Sequence, residues 1–169
     1  MNIRQELPAD YDAVYRVVQE AFAGAGHSDG TEQDLVAALR QSGAFVPELS
    51  LVAEEDGQIL GHILFTRAQV GSRTVLALAP LSVLPAHQRQ GTGLALMERG
   101  HGLAARLGYD YAVVLGHPAY YPKAGYLPAE DFGIRAPFPT EEGSFLVRPL
   151  RADAPPLCGV ITYDPAFGI

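Results

Sequence analysis

Apolar residues recur along this chain with two different periods, and the change from one to the other marks out its elements. Residues 2–7 alternate in the manner of a short edge strand. Pro8-Ala9-Asp10 then opens a helix on which Tyr11, Val14, Tyr15, Val18 and Phe22 share one face at three- and four-residue steps. Gly24, Gly26 and Gly30 break that pattern into a loop carrying His27 and Asp29. Residues 31–41 restart a helix, with Thr31 and Asp34 as a capping pair and Leu35, Ala38 and Leu39 as its apolar stripe. From there the period is two. Residues 51–55 and 58–68 read as strands joined by Asp56-Gly57, a strong hairpin dipeptide. Residues 73–84 are apolar on both parities, which places that strand in the middle of a covered sheet. Pro80 removes a ladder donor within it, so a bulge or a local splay is expected there.

A glycine-rich turn follows, then a helix over residues 92–107 that stops at Gly108, and a short apolar strand over 111–115. Residues 117–123 have room for one or two helical turns. The remainder is rich in Pro and Gly, with strand-like pieces at 144–147 and 159–163. The order β-α-α-β-β-β-α-β-α-β-β predicts an α/β (α+β) class fold, a single domain over residues 1–169 with a mixed sheet. No repeat, low-complexity tract or linker divides it.

Composition narrows the function classes. The 169 residues are 48% hydrophobic and 18% charged, enough for a real core. A net charge of -7 argues against nucleic acid as a partner, because phosphate contacts need a basic face. It mildly favours cationic substrates. Cys158 is the only cysteine, which excludes an internal disulfide and a zinc site built on cysteines; it is expected to be a small buried apolar residue. His27, Asp29 and His117 do not converge at metal-ligand spacing, and no metal is expected. The first residues lack a signal pattern, and no apolar run approaches membrane-spanning length. The expected setting is the cytoplasm, away from membranes; a homodimer is compatible with the sequence.

The chemistry lies after the central strand, where His87-Gln88-Arg89-Gln90-Gly91-Thr92-Gly93 runs directly into a helix. The first N–H groups of a helix have no internal partner, and the macrodipole adds partial positive charge. Together they suit a diphosphate. Gly91 and Gly93 allow close backbone approach, and Gln88 and Arg89 add side-chain donors. The turn lacks the Lys-Ser/Thr ending of a Walker A loop and the three-glycine spacing of a dinucleotide fold. On local sequence alone, the two glycines could equally do no more than shape a tight turn.

Leu81-Ser82-Val83-Leu84-Pro85 followed by Gln88-x-x-Gly91-x-Gly93 resembles the acetyl-CoA motif of the GCN5-related N-acetyltransferases (GNAT family). All three fixed positions of that motif match, and the order of elements resembles that fold over residues 2–127, with a strand-rich extension at 128–169. Tyr120-Tyr121-Pro122-Lys123-Ala124-Gly125-Tyr126 and the tail beyond it look most like the YhbS-like acetyltransferases of that family. The resemblance implies a mostly antiparallel, twisted central sheet flanked by helices. Its central strand would splay from its neighbour to admit pantetheine. Backbone groups at Leu81, Ser82 and Val83 would meet the pantetheine and thioester, and Gln88, Arg89, Gln90, Gly91, Thr92, Gly93 and Leu94 would hold the diphosphate. It also implies acetyl-CoA as acyl donor and an unidentified amine acceptor, attacked directly in a ternary complex.

Such a transfer needs a neutral amine, a stabilised oxyanion and a proton for the leaving thiolate. Tyr121 stands four residues before Gly125, the spacing at which the family carries a tyrosine acting as general acid; Tyr120 is the neighbouring candidate, and packing against the sheet is the plainer role for either. Two departures from the family pattern are Val114, where an Asn that binds pantetheine is usual, and Pro122, which is unusual inside a helix although tolerable in its first turn. The base is undefined among Glu32, Glu54, Glu55 and His62, each of which reads first as an ordinary solvated, buried or helix-terminal residue, and a proton relayed by water or no dedicated base stands equally beside them. Residues 23–30 and 131–143 are expected to recognise the acceptor, with Phe132, Arg135 and Phe138 in the wall. A non-catalytic acyl-CoA-binding module is the alternative function, and a nucleotide-phosphate binder unrelated to CoA a third.

Overall fold

The turn at Asp56-Gly57 has positive φ at both residues, 51° and 78°, the backbone twist that suits the right-handed twist of the strands it joins. Those strands are β2 (Phe45–Glu55) and β3 (Gln58–Val70), and they form the middle of the protein with β4 (Arg73–Val83). The computed structural model describes residues 1–169. Before the hairpin come β1 (Asn2–Gln5), α1 (Tyr11–Phe22) and α2 (Glu32–Arg40); after it come α3 (Thr92–Arg106) and β5 (Tyr111–Leu115). The C-terminal part adds β6 (Leu127–Pro128), β7 (Ile134–Arg135), β8 (Phe145–Pro149) and β9 (Gly159–Thr162). The sheet runs β1-β2-β3-β4-β5-β8-β6, antiparallel except between β4 and β5. β9 pairs with β3 at Gln69 and Val70, taking the edge that β2 leaves free, and carries β7 beside it.

Strand alternation sends side chains to two faces. On one, Leu96, Met97 and Ala104 of α3 pack against Leu51, Ala53, Ile63, Phe65, Leu76 and Ala112. On the other, Val14, Val17, Val18, Val36 and Leu39 of α1 and α2 cover Val52 and Leu64. The far end of that second face, with Val70, Val75, Ala77 and Val113, is covered by Ile134, Leu157 and Ile161 of the C-terminal part.

Several expectations shift in detail. On α1, Val17 is buried, while Tyr15 sits at the margin of the stripe and donates to Asp34 across to α2, at 3.0 Å. Thr31 makes no capping bond and instead donates to Asp29 at 2.6 Å. Residues 117–123 form no α-helix. A 3-10 turn spans Tyr121–Ala124, with Pro122 in its first positions, where a missing N–H costs nothing. Cys158 is exposed rather than buried, because its neighbour Leu157 takes the inward position.

The feature that positions the site is in β4. Ile63 pairs with Leu81 and Phe65 with Leu78, so β4 spends one residue more than β3 over this stretch, at the cis Ala79-Pro80 peptide. β5 pairs with β4 only from Leu76 to Leu78, although β4 continues along β3 as far as Val83. The two central strands therefore part beyond Leu78.

Candidate active site

At the parted end of β4 the chain turns into α3, and the local sequence dictates how. Gly91 lies in the left-handed region at φ 86°, and Arg89 joins it there at 62°, so the turn is a concave run of backbone. Gln88 ties the turn to the strand by donating to the Val83 carbonyl at 3.0 Å. Gln90 reaches back to the Ala86 carbonyl at 3.4 Å. α3 begins with the bond from Ala95 N–H to the Gly91 carbonyl, leaving the amides of its first turn outside the helix ladder. The first turn lies close against β3 because Gly61 has no side chain: a Cβ there would come within 3.0 Å of the Ser82 carbonyl and 3.1 Å of Leu96.

A cavity of about 610 Å³ opens at this helix terminus. Of the residues expected to hold the cofactor, Leu81, Val83, Gln88, Arg89, Gly91, Thr92, Gly93 and Leu94 line it, and so does Tyr121. Ser82 and Gln90 do not. Ser82 points to the opposite face of the sheet, as alternation requires between Leu81 and Val83, and is buried there. His87, Tyr120 and Lys123 complete the lining. His87 opens the glycine turn itself, whereas Lys123 is far from it in sequence and the fold brings it in. No carboxylate lines the cavity, whereas Arg89 and Lys123 do, although the whole chain carries a net charge of -7.

The two tyrosines are seated differently. The Tyr120 hydroxyl stands against Gly93, where any Cβ would collide with it. Tyr121 lays its ring edge against Gly116, another place that only glycine allows, and meets Tyr120 and Tyr126 edge-to-face at 5.1 and 5.8 Å. Tyr126 is fixed in turn by His101, 2.8 Å from its hydroxyl. Burial, and then the neighbouring Tyr120, push the Tyr121 phenol above its ordinary value, so it stays protonated.

The candidate bases are dispersed. Glu54 pairs with Arg4 at 3.0 Å, Glu55 with the N-terminal ammonium at 3.4 Å, and Glu32 accepts from Ser28 at 2.7 Å. His62 is wholly buried on the α1–α2 face, 2.9 Å from Ser50 Oγ and 3.2 Å from Glu6, whose other oxygen is ion-paired with Arg40. Burial alone would raise Glu6, but the hydrogen bond and charge of His62, with Ser50 and Arg40, hold it below the ordinary carboxylate range. Glu6 carried no signal in the sequence, since it ends an edge strand as many surface carboxylates do.

Neither segment expected to recognise the acceptor lines this cavity. His27 and Asp29 border a groove on α2 with Ala166 and Phe167, and Arg135 and Phe138 border a cavity of about 500 Å³ beside β7 and β8. Phe132 packs with Tyr111 instead. The two regions are joined by a chain of rings, Phe138 to Tyr163 at 6.4 Å and Tyr163 to Phe167 at 5.3 Å.

Comparison with known proteins identifies the family and the fold. Residues 11–126 match the profile of the acetyltransferase (GNAT) family. The N-acetyltransferase YhbS of Escherichia coli is 32% identical over 99% of this chain and 98% of its own. Its crystal structure in complex with CoA superposes with a TM-score of 0.89, at 29% identity, over 99% of this chain and 92% of that one. A GNAT family acetyltransferase from Brucella melitensis in complex with acetyl-CoA gives 0.82, at 33% identity, over 98% and 97%. The N-acetyltransferase YjhQ of Escherichia coli is 42% identical over 66% of this chain, a match that spans 64% of that protein.

Proposed function

The chain belongs to the acetyltransferase (GNAT) family, and from that premise we propose that it moves the acetyl group of acetyl-CoA to an amine by direct attack in a ternary complex. The observation that carries this is the cavity at the parted strands, where a helix N-terminus, Arg89 and Lys123 converge with no carboxylate among them. That lining suits the CoA diphosphate. The backbone of Leu81 to Val83 takes the pantetheine and thioester end, and Gln88 to Leu94 the diphosphate end. Gln88 and Gln90 act by bracing the turn, since their amides are engaged with the Val83 and Ala86 carbonyls.

In the reaction the amine nitrogen bonds to the thioester carbon and sheds a proton to solvent water, the carbonyl oxygen gains charge near the β4 backbone, and the C–S bond then breaks to release the thiolate. Tyr121 serves as general acid. A thiol of pKa about 8.5 gives a weaker base than this buried phenol would, so the Tyr121 hydrogen bond tightens as the thiolate leaves rather than ionising beforehand. A cytoplasmic setting is supported by the single, exposed cysteine, which suits a reducing compartment. No helix is long and apolar enough to cross a membrane.

The test combines binding with turnover. CoA should raise the melting temperature more than ATP or NAD, and acetyl-CoA with an amine panel should release free thiol. Tyr121→Phe should keep the CoA-induced shift and lose at least about 100-fold in kcat. Stronger stabilisation by ATP would sink the cofactor assignment, and full turnover by Tyr121→Phe would remove the acid.

A further inference from the structure

Two hydroxyls and one ammonium face the cofactor cavity with no partner inside the protein. Tyr126 shows how this fold treats a buried phenol otherwise, since its hydroxyl lies 2.8 Å from His101 Nε2. The hydroxyls of Tyr120 and Tyr121 make no such bond, and both residues line the cavity. Lys123 lines it too, exposed, and no carboxylate among the lining residues neutralises it. Tyr121 has its task as the acid. Tyr120 has none so far, and Lys123 only a share in the positive lining.

The fold sets these last two side by side. The Lys123 N–H donates to the Tyr120 carbonyl at 3.2 Å, which closes the 3-10 turn. With about three residues per turn, side chains at i and i+3 eclipse one another. Tyr120 and Lys123 therefore share a face, and that face is one wall of the cavity, with the β4–α3 turn as another. Tyr121, one step round, lays its ring against Gly116 instead.

Their depths differ. The Tyr120 hydroxyl stands against Gly93, and a Cβ at Gly93 would also lie 3.7 Å from Leu81, so the hydroxyl sits where the end of β4 meets the first turn of α3. Lys123 is exposed at the mouth, as is Arg89. CoA with its thioester end on the β4 backbone and its diphosphate on the α3 amides brings the pantetheine-side phosphate past Tyr120, and its ribose 3′-phosphate out to the mouth. Charge makes the same demand. A helix N-terminus supplies only about half a positive charge, against about −1.5 to −2 for a phosphate monoester alone at pH 7. Arg89, inside the turn, serves the diphosphate; the monoester needs a cation of its own.

We propose that the 3-10 turn is a second phosphate-binding wall: the Tyr120 hydroxyl donates to the phosphate that carries pantetheine, and the Lys123 ammonium pairs with the 3′-phosphate, so that the protein selects CoA over donors lacking that group. This rests on the CoA reading above.

Calorimetric titration of the full chain with CoA, dephospho-CoA and 4′-phosphopantetheine separates the two contacts without using turnover. The wild-type protein should bind CoA about 10-fold more tightly than dephospho-CoA. Lys123→Gln should abolish that preference by weakening CoA alone, and Lys123→Arg, which keeps the charge, should restore it. Salt should weaken CoA binding more steeply in the wild type than in Lys123→Gln. Tyr120→Phe keeps the ring contact with Tyr121 and should weaken all three ligands about 10-fold, because all three carry the pantetheine-side phosphate. Neither Lys123→Gln nor Tyr120→Phe should move the melting temperature of the free protein, since one residue is exposed and the other loses a hydroxyl that bonds nothing. Equal wild-type affinity for CoA and dephospho-CoA, or an equal loss of both in Lys123→Gln, overturns the 3′-phosphate contact. Unchanged affinities in Tyr120→Phe overturn the other, and losses that track a lowered melting temperature reduce the wall to a structural part. If the wild-type protein binds none of the three ligands, the CoA reading itself fails; if it binds them and both variants match it, that reading stands and the wall alone fails.

Discussion

Three residues around α3 show how differently one type of environment treats different groups. Tyr121 and His101 are both buried, and burial resists charge in each, yet the consequences are opposite. The phenol is kept protonated and suits a donor; the imidazole is kept neutral and can only brace. Burial, and then the charge of Arg148, pull His101 down to about 3, so in the folded protein it stays uncharged beside the Tyr126 hydroxyl. Tyr126 is the third, and its ring passes that bracing on to Tyr121. The linkage has a definite sign. In the unfolded chain a histidine binds its proton near pH 6.5, while native His101 does not until about 3, so stability present above 6.5 is lost as the pH falls. Glu6 and Asp10, whose pKa values are lowered, weaken the fold only further down, once the ordinary carboxylate range near 4 is reached. Between pH 7 and 5.5 the wild-type protein should therefore lose about 1 kcal/mol through His101. Urea unfolding at the two pH values checks it. His101→Gln should flatten that difference, and an unchanged slope in the variant would assign the loss to another group.

At the scale of elements, the β4–α3 junction separates two jobs that glycine does. Gly91 has open space where a side chain would be, but its φ of 86° is hostile to one. Gly93 has ordinary helical backbone and no space, because the Tyr120 hydroxyl occupies it. Gly91→Ala should accordingly cost about 1–2 kcal/mol of stability through backbone strain, and leave the cavity open. Gly93→Ala should do the reverse: it displaces Tyr120 into the cavity and raises the KM for acetyl-CoA while changing the melting temperature less. Titrating CoA against each variant by thermal shift distinguishes them, and equal behaviour would mean that the two glycines share one role. The junction was legible in the sequence because every part of it is local: a biapolar strand, Pro80 within it, and two glycines at the mouth of a helix. What local pattern does not carry is the direction each side chain takes. The run Leu81-Ser82-Val83 reads as one segment, yet alternation gives its outer members to the cofactor cavity and Ser82 to the other face. The short strands β6 and β7, two residues each, are set by their partners β8 and β9 and had no period of their own to announce them.

The whole molecule explains why the tail after residue 127 belongs to the fold. The second face of the sheet is longer than α1 and α2 can cover, and the remaining apolar end, around Val70, Val75 and Ala77, would otherwise meet water. β9 closes it by adding to β3 just where β2 departs, with Ile161 fully inside and Tyr163 leading on through its ring contact to Phe167 against α2. The convergence of Glu6, Arg40, Ser50 and His62 has the same origin: they come from four separate elements or their ends, and even the two nearest in sequence, Arg40 and Ser50, belong to different elements. Such long-range closure makes a clear demand on stability. If the tail is integral, Ile161→Ala opens a cavity in a shared core and should cost about 2–5 kcal/mol in urea unfolding, as a single transition with the slope unchanged. If it were a detachable flap, the same substitution would leave the main transition in place and add a separate early one. CoA sharpens the distinction, because its cavity lies across the sheet from Ile161. In an integral fold, CoA should raise the midpoint of the Ile161→Ala protein by as much as that of the wild type, starting from a lower value. A flap would leave the CoA-bound midpoint at the wild-type temperature, and that result would detach the C-terminal strands from the cooperative unit.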